Sequence, residues 1–286
     1  LWLAVIVYTA ALPYVIHVFR AITEHFSATT AGRVPLMIII LMAVPYAIAA
    51  TSKKGFARSL LTLAVSAAIV VGIMNFEANP NKYIHISEYV LMTWLLYLAM
   101  VADYKGRGIL LLVFICAVML GVVDELLQGI HTQRSYGWKD MLIDAAASFI
   151  GIVTLMAVTD GPRGNWSWTG RLKHYSALAA ALLLVVPVTV LSCIYLFAVH
   201  TKESFENVYP GWLLTGNALC LAAAAGAAIF FYWHRRPRSG KFNAEMIADT
   251  ADSRATALLW VICPLVILVC INLLVIGVAA FGWEFK

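Results

Sequence analysis

His85, Glu88, Tyr89, Asp124, Glu125, Gln128, Arg134, Asp140 and Asp144 fall within about sixty positions of a chain that is 62% hydrophobic and 12% charged. Five of the fifteen Asp and Glu residues belong to this set. A histidine beside carboxylates can act as acid or base. An arginine among them can grip an anionic headgroup. Carboxylates with a histidine on facing helices can hold a metal. The same residues can also form a buried network that only ties helices together. Charge inside a bilayer costs on the order of 2.5–3.5 kcal/mol per residue on insertion scales, so each such residue needs a compensating reason.

The spacing places these residues on helix faces. His85, Glu88 and Tyr89 are three and four apart and share one face. Asp124 and Gln128 share another, with Glu125 turned by about 100°. Asp140 and Asp144 are one turn apart.

The elements that carry them are membrane spans. Apolar runs near the roughly 20 residues needed to cross a bilayer recur along the whole sequence. The alternating ten-residue pattern of an outer-membrane barrel is absent. We read an all-α, multipass transmembrane bundle of about nine spans with no sizeable soluble domain. The spans are 1–19, 33–51, 57–75, 84–102, 108–130, 141–159, 175–199, 209–233 and 256–281. The segment Phe19–Thr30 is short and mixed, and reads as an interfacial helix or a loop. The chain starts with Leu1, so a few residues ahead of it are expected to be missing. The first run is long enough to be a span rather than a signal sequence.

Thirteen of the twenty Lys and Arg residues lie in the even-numbered connections. The positive-inside rule therefore puts those connections and the N-terminus in the cytoplasm. The net charge of +5 reports topology, and no nucleic-acid partner is expected. Trp138, Trp166, Trp168, Trp212, Trp233 and Trp283 mark span edges, where indole rings prefer to lie. The stretch 234–255 reads as a basic cytoplasmic loop.

On this topology the polar residues converge. The third connection delivers His85 and Glu88. The fifth joins Asp124, Glu125 and Gln128 to Asp140 and Asp144 and carries Arg134. All reach the same side, exoplasmic by the charge count. Ile109 to Asp124 is roughly 22 Å of helix, so the acidic pair lies inside a hydrocarbon core about 30 Å thick. Clustered carboxylates need relief from Arg134, His85, Lys82 or Lys139, from protonation, or from a cation.

The ordered set H-x-x-E-Y at 85–89, D-E-x-x-Q at 124–128, then Arg134, Asp140 and Asp144, resembles the VanZ-like family of bacterial membrane proteins. The resemblance covers about residues 55–160. It divides the chain into two N-terminal spans (1–54), a four-span core (55–160) and three C-terminal spans (161–286). The turn Ala145-Ala146-Ala147-Ser148 departs from a commonly glycine-containing stretch, with Gly151 retained. The resemblance implies a multipass protein of the bacterial cytoplasmic membrane, linked to the cell envelope, and specifies no reaction.

Two functions follow as expectations. In one, the polar site faces outward and binds or processes a lipid-linked or envelope headgroup, with Arg134 as an anion contact and His85 or Glu88 as acid or base. In the other, the cluster is a structural network in a non-catalytic accessory or scaffold subunit of a membrane complex. Membrane lipids are the expected partners, with other membrane subunits in the second case. No Ser-His-Asp set or glycine-rich phosphate loop marks a catalytic centre, and whether the protein is an enzyme is left open. No cofactor is expected. The five cysteines lie in apolar runs without a CxxC motif. A metal is also not expected, because only His85 lies on this helix face and the two Glu-x-x-His motifs of a di-iron site are absent from the sequence.

Overall fold

The computed structural model describes residues 1–104, 106–131, 137–159, 165–199, 209–234, 244–281 and 283. Among these residues the chain is helical, and nine segments are long and apolar enough to cross a membrane. Helices α1 (Trp2–Ala11) and α2 (Val15–His25) are joined by a 3-10 turn at Leu12–Tyr14 that contains Pro13. Proline fits the first turn of a helix, where its missing N–H has no intrahelical partner. The first span therefore runs from Trp2 to His25. Of the segment 19–30, the part up to His25 is helix. Ser27 then caps the next helix by accepting a hydrogen bond from the Thr30 amide.

Helix α3 (Ala28–Lys54) turns into α4 (Phe56–Phe76) through Gly55 alone. Its φ of 85° is available to glycine at little cost, and this allows a one-residue reversal. A 3-10 turn at Pro80–Tyr83 leads into α5 (Ile84–Val101), followed by α6 (Ile109–Ile130) and α7 (Trp138–Val158). A second 3-10 segment, Ser167–Tyr175, opens α8 (Ser176–Val199). Then come α9 (Gly211–His234) and α10 (Ala244–Phe281). Helix α10 begins before the expected span at 256. Ala, Glu and Met in its first turns favour helix without needing burial in lipid. The basic segment expected at 234–255 lies partly outside the described residues, at 235–243.

Packing divides the chain into two compact units. The first comprises Leu1–Ala99, Val113–Gln128 and Tyr136–Gly161. In it α4 packs on α3 and α7. Trp94 of α5 donates to Thr154 Oγ1 of α7 at 2.9 Å. Gly151 of α7 lies so close to α5 that an added Cβ would come within 2.6 Å of Thr93 Cβ. The retained glycine thus sits where two spans approach closely, as small residues do in membrane bundles.

The second unit comprises Met100–Leu112, Gly129–Ser135 and Pro162–Lys286. Here α8 packs on both α9 and α10. Two asparagine amides tie it to them inside the apolar bundle. Asn217 donates to Ser192 Oγ at 2.8 Å, and Asn272 to Thr189 Oγ1 at 2.6 Å. Apolar side chains such as Leu41, Leu183 and Leu219 stay exposed along the spans. That is the surface a helix presents to lipid.

Candidate functional site

The site lies wholly in the first unit, where the start of α5, the end of α6 and the start of α7 come together. His85 is the second residue of α5 and Asp140 the third of α7. Asp124 lies about 9 Å of helix before the end of α6 at Ile130. His85, Glu88, Tyr89, Asp124, Glu125, Gln128, Asp140 and Asp144 are all buried, with Asp124, Glu125 and Asp144 fully so. The structure thus brings together eight of the nine residues singled out from sequence. Arg134 lies outside the described residues.

His85 and Asp144 form the centre. The imidazole Nδ1 is 3.0 Å from Asp144 Oδ1 and 3.8 Å from Glu88 Oε2. A proton on Nδ1 donates to the Asp144 carboxylate and leaves Nε2 as the lone-pair nitrogen. No hydrogen bond among the described residues engages Nε2. Tyr89, one turn along, stacks on the His85 ring at 6.4 Å between centroids and donates to Asp124 Oδ2 at 3.1 Å. Gln128 bridges the acidic pair, donating to Asp124 Oδ2 at 3.0 Å and to Glu125 Oε1 at 3.2 Å.

Backbone groups complete the arrangement. The amide of Gly137, which caps α7, donates to Glu125 Oε2 at 2.8 Å. Charge-assisted bonds of this kind are roughly twice as strong as neutral ones. Gly121 of α6 faces Asp144, and a Cβ there would come within 3.3 Å of Asp144 Oδ2. The positive N-terminal end of α7 favours the carboxylate of Asp140 in its first turn. The C-terminal end of α6 has the opposite dipole, so Asp124 and Glu125 depend on the bonds from Tyr89, Gln128 and Gly137.

Asp140 has a separate partner. Lys82 donates to both its carboxylate oxygens, at 2.8 and 2.9 Å. Lys82 is thereby committed to Asp140. Lys139 lies over the Phe76 ring at 5.5 Å to the centroid. Of the groups expected to relieve the acids, Lys82 does so at Asp140 as a cation, and His85 does so at Asp144 through a hydrogen bond.

Sequence spacing missed three contributors. Tyr8 of α1 donates to the Glu88 carbonyl at 3.0 Å, and nothing in its apolar run signals that contact. The Gly137 amide is a backbone group. Its only trace is the glycine directly before a helix start. Gly121 is legible only as a small residue on the same face of α6 as Asp124, Glu125 and Gln128.

His85, Asp124, Glu125 and Asp144 each offer a ligand atom within 4.8 Å of the others, all four buried. A single histidine on one helix argued against a metal. The structure adds what spacing on one helix cannot supply, namely carboxylates from two other helices around that imidazole. Comparison with family models, curated proteins and solved structures gives no match.

Proposed function

We propose that the protein is a VanZ-like multipass protein of the bacterial cytoplasmic membrane, whose polar cluster binds or processes the headgroup of a lipid-linked or envelope substrate. The observation that carries this reading is the buried His85–Asp144 pair, 3.0 Å apart, among further carboxylates at the ends of three spans. A headgroup at the membrane surface meets such helix ends first. The pair has the form of an oriented acid–base: Asp144 holds the imidazole by Nδ1, and Nε2 is left to take or give a proton. The Lys and Arg asymmetry supports a cytoplasmic N-terminus and an exoplasmic cluster.

A second reading has its own support. Tyr89 of α5 and the Gly137 amide at the start of α7 both bond to acids of α6, which Gln128 also bridges, as a structural network in an accessory or scaffold subunit would. Native mass spectrometry of purified protein, released from membranes with its bound lipids, separates the two. On the first reading the wild type retains phosphate-bearing lipid, and His85→Gln and Arg134→Ala lose it while keeping the wild-type thermal midpoint. If both variants keep the lipid and lose only yield and thermal stability, the network reading replaces the first.

A further inference from the structure

We infer that His85, Asp124, Glu125 and Asp144 form a binding site for one divalent cation of the Mn2+ type. Their four ligand atoms lie within 4.8 Å of one another. Ligands on opposite sides of a divalent ion bound through oxygen or imidazole nitrogen lie about 4–5 Å apart. The group is therefore already drawn in to coordination size, from three different helices.

A second observation is independent of that clustering. Asp144 is completely buried, and its Oδ2 has no hydrogen-bond partner among the described residues. A buried polar atom left unmatched is costly and calls for an explanation. Oδ2 faces Gly121, on the side of α6 that also carries Asp124 and Glu125. Its unused lone pairs are thus directed at the helix bearing two of the other donors. The companion oxygen, Oδ1, is occupied by His85 Nδ1 at 3.0 Å.

That contact is itself of coordination size. Donors bound side by side to one ion at about 2.1 Å lie about 3 Å apart, as His85 Nδ1 and Asp144 Oδ1 do. Gln128 and Tyr89 hold Asp124, and the Gly137 amide holds Glu125. The donors are therefore fixed from outside. Three carboxylates favour a hard ion and one imidazole favours the transition series, a combination that suits Mn2+. A divalent charge also offsets the repulsion among acids held this close in an apolar interior.

The site stands on this geometry alone, and its use rests on the function proposed above. An ion held by carboxylates keeps open positions that a phosphate-bearing headgroup can fill, as bound Mg2+ commonly does with substrate phosphates.

The test uses the full chain in detergent or nanodiscs, stripped with EDTA and titrated with Mn2+. Electron paramagnetic resonance reads the free ion, and thermal unfolding is followed in parallel. We expect about one Mn2+ bound per chain and a higher thermal midpoint in its presence. Asp144→Asn and Glu125→Gln should weaken binding at least about tenfold. The stripped variants should unfold no earlier than the stripped wild type, because each removes one of the crowded charges. The inference is overturned if wild type binds no Mn2+ above background and its midpoint is unmoved by Mn2+, Mg2+, Ca2+ or Zn2+. It is equally overturned if both variants bind as wild type does. A protein that retains phosphate-bearing lipid through His85 yet binds no cation would remove this inference and leave the proposed function standing. The converse result would do the opposite.

Discussion

Two clusters hold helices together in this protein, and they are built from opposite chemistry. In the second unit, Tyr104 donates to the Arg107 carbonyl at 2.6 Å and accepts from Trp260 Nε1 at 2.7 Å. Trp168 Nε1 donates to the same carbonyl at 3.0 Å, and its ring stacks on Trp260 at 5.2 Å between centroids. Gly106 admits this packing, since a Cβ there would come within 2.4 Å of the Trp168 ring. These contacts join neutral donors to neutral acceptors. In the first unit the corresponding residues are His85, Asp124, Glu125 and Asp144, and Asp144 Oδ2 is buried with no hydrogen-bond partner among the described residues. The chain can thus fasten helices with aromatic rings and carbonyls. Fastening alone does not call for buried carboxylates, whose desolvation outweighs what a pairing returns unless further bonds compensate. The contrast favours a ligand as the reason for the acidic cluster.

The largest effect expected from breaking this contrast is at Trp168. Trp168→Ala removes a buried ring from the neutral cluster and should cost about 3–5 kcal/mol in unfolding experiments. The loss should be the same with Mn2+ or with EDTA. A loss that disappears on adding Mn2+ would mean the two clusters do not divide the roles as argued.

A smaller effect is expected at the edge of the acidic cluster. Lys82→Met takes away the cation bound to both oxygens of the buried Asp140. Breaking a fully buried pair costs about 3–5 kcal/mol. The Lys82 side chain is 31% exposed, so water screens the pair, and about 1–2 kcal/mol is the expected loss. Mn2+ binding should survive. If it fails while the protein stays folded, Asp140 belongs to the cation site.

The smallest effect is a pH dependence confined to the neutral cluster. Burial pushes the Tyr104 phenol up from 10.0 to about 12. The folded chain then holds this proton more tightly than the unfolded chain does. Its contribution to stability is full below pH 10 and is lost as pH rises toward about 12. Tyr104→Phe should remove that part of the alkaline destabilisation. Identical alkaline profiles for the two proteins would contradict the burial argument.

Much of the architecture is legible in the sequence because the bilayer imposes a length and a composition on each crossing. The nine spans lie where hydropathy puts them. Their ends are set by local chemistry that hydropathy does not weigh, such as Pro13 carrying the first span on to His25, or the helix-forming residues that start α10 at Ala244. Helix alternation alone is enough to bring His85, Asp124, Glu125 and Asp144 to one side. The partners are harder to read. Lys82 and Lys139 are the same residue type, yet one binds Asp140 and the other lies on Phe76. That choice depends on the direction each side chain leaves its helix. Trp168 fits the pattern of an interfacial indole by its position, but it is buried against Trp260, because Gly106 opens a space that no periodicity reveals. The closeness of four ligand atoms likewise depends on how three helices pack, and spacing within any one of them cannot express it.

The most direct measurement is an anomalous difference map from crystals of the full chain grown with Mn2+. One strong peak is expected, bounded by the His85 imidazole and the carboxylates of Asp124, Glu125 and Asp144. A map with those side chains clustered as described and no peak between them would contradict it.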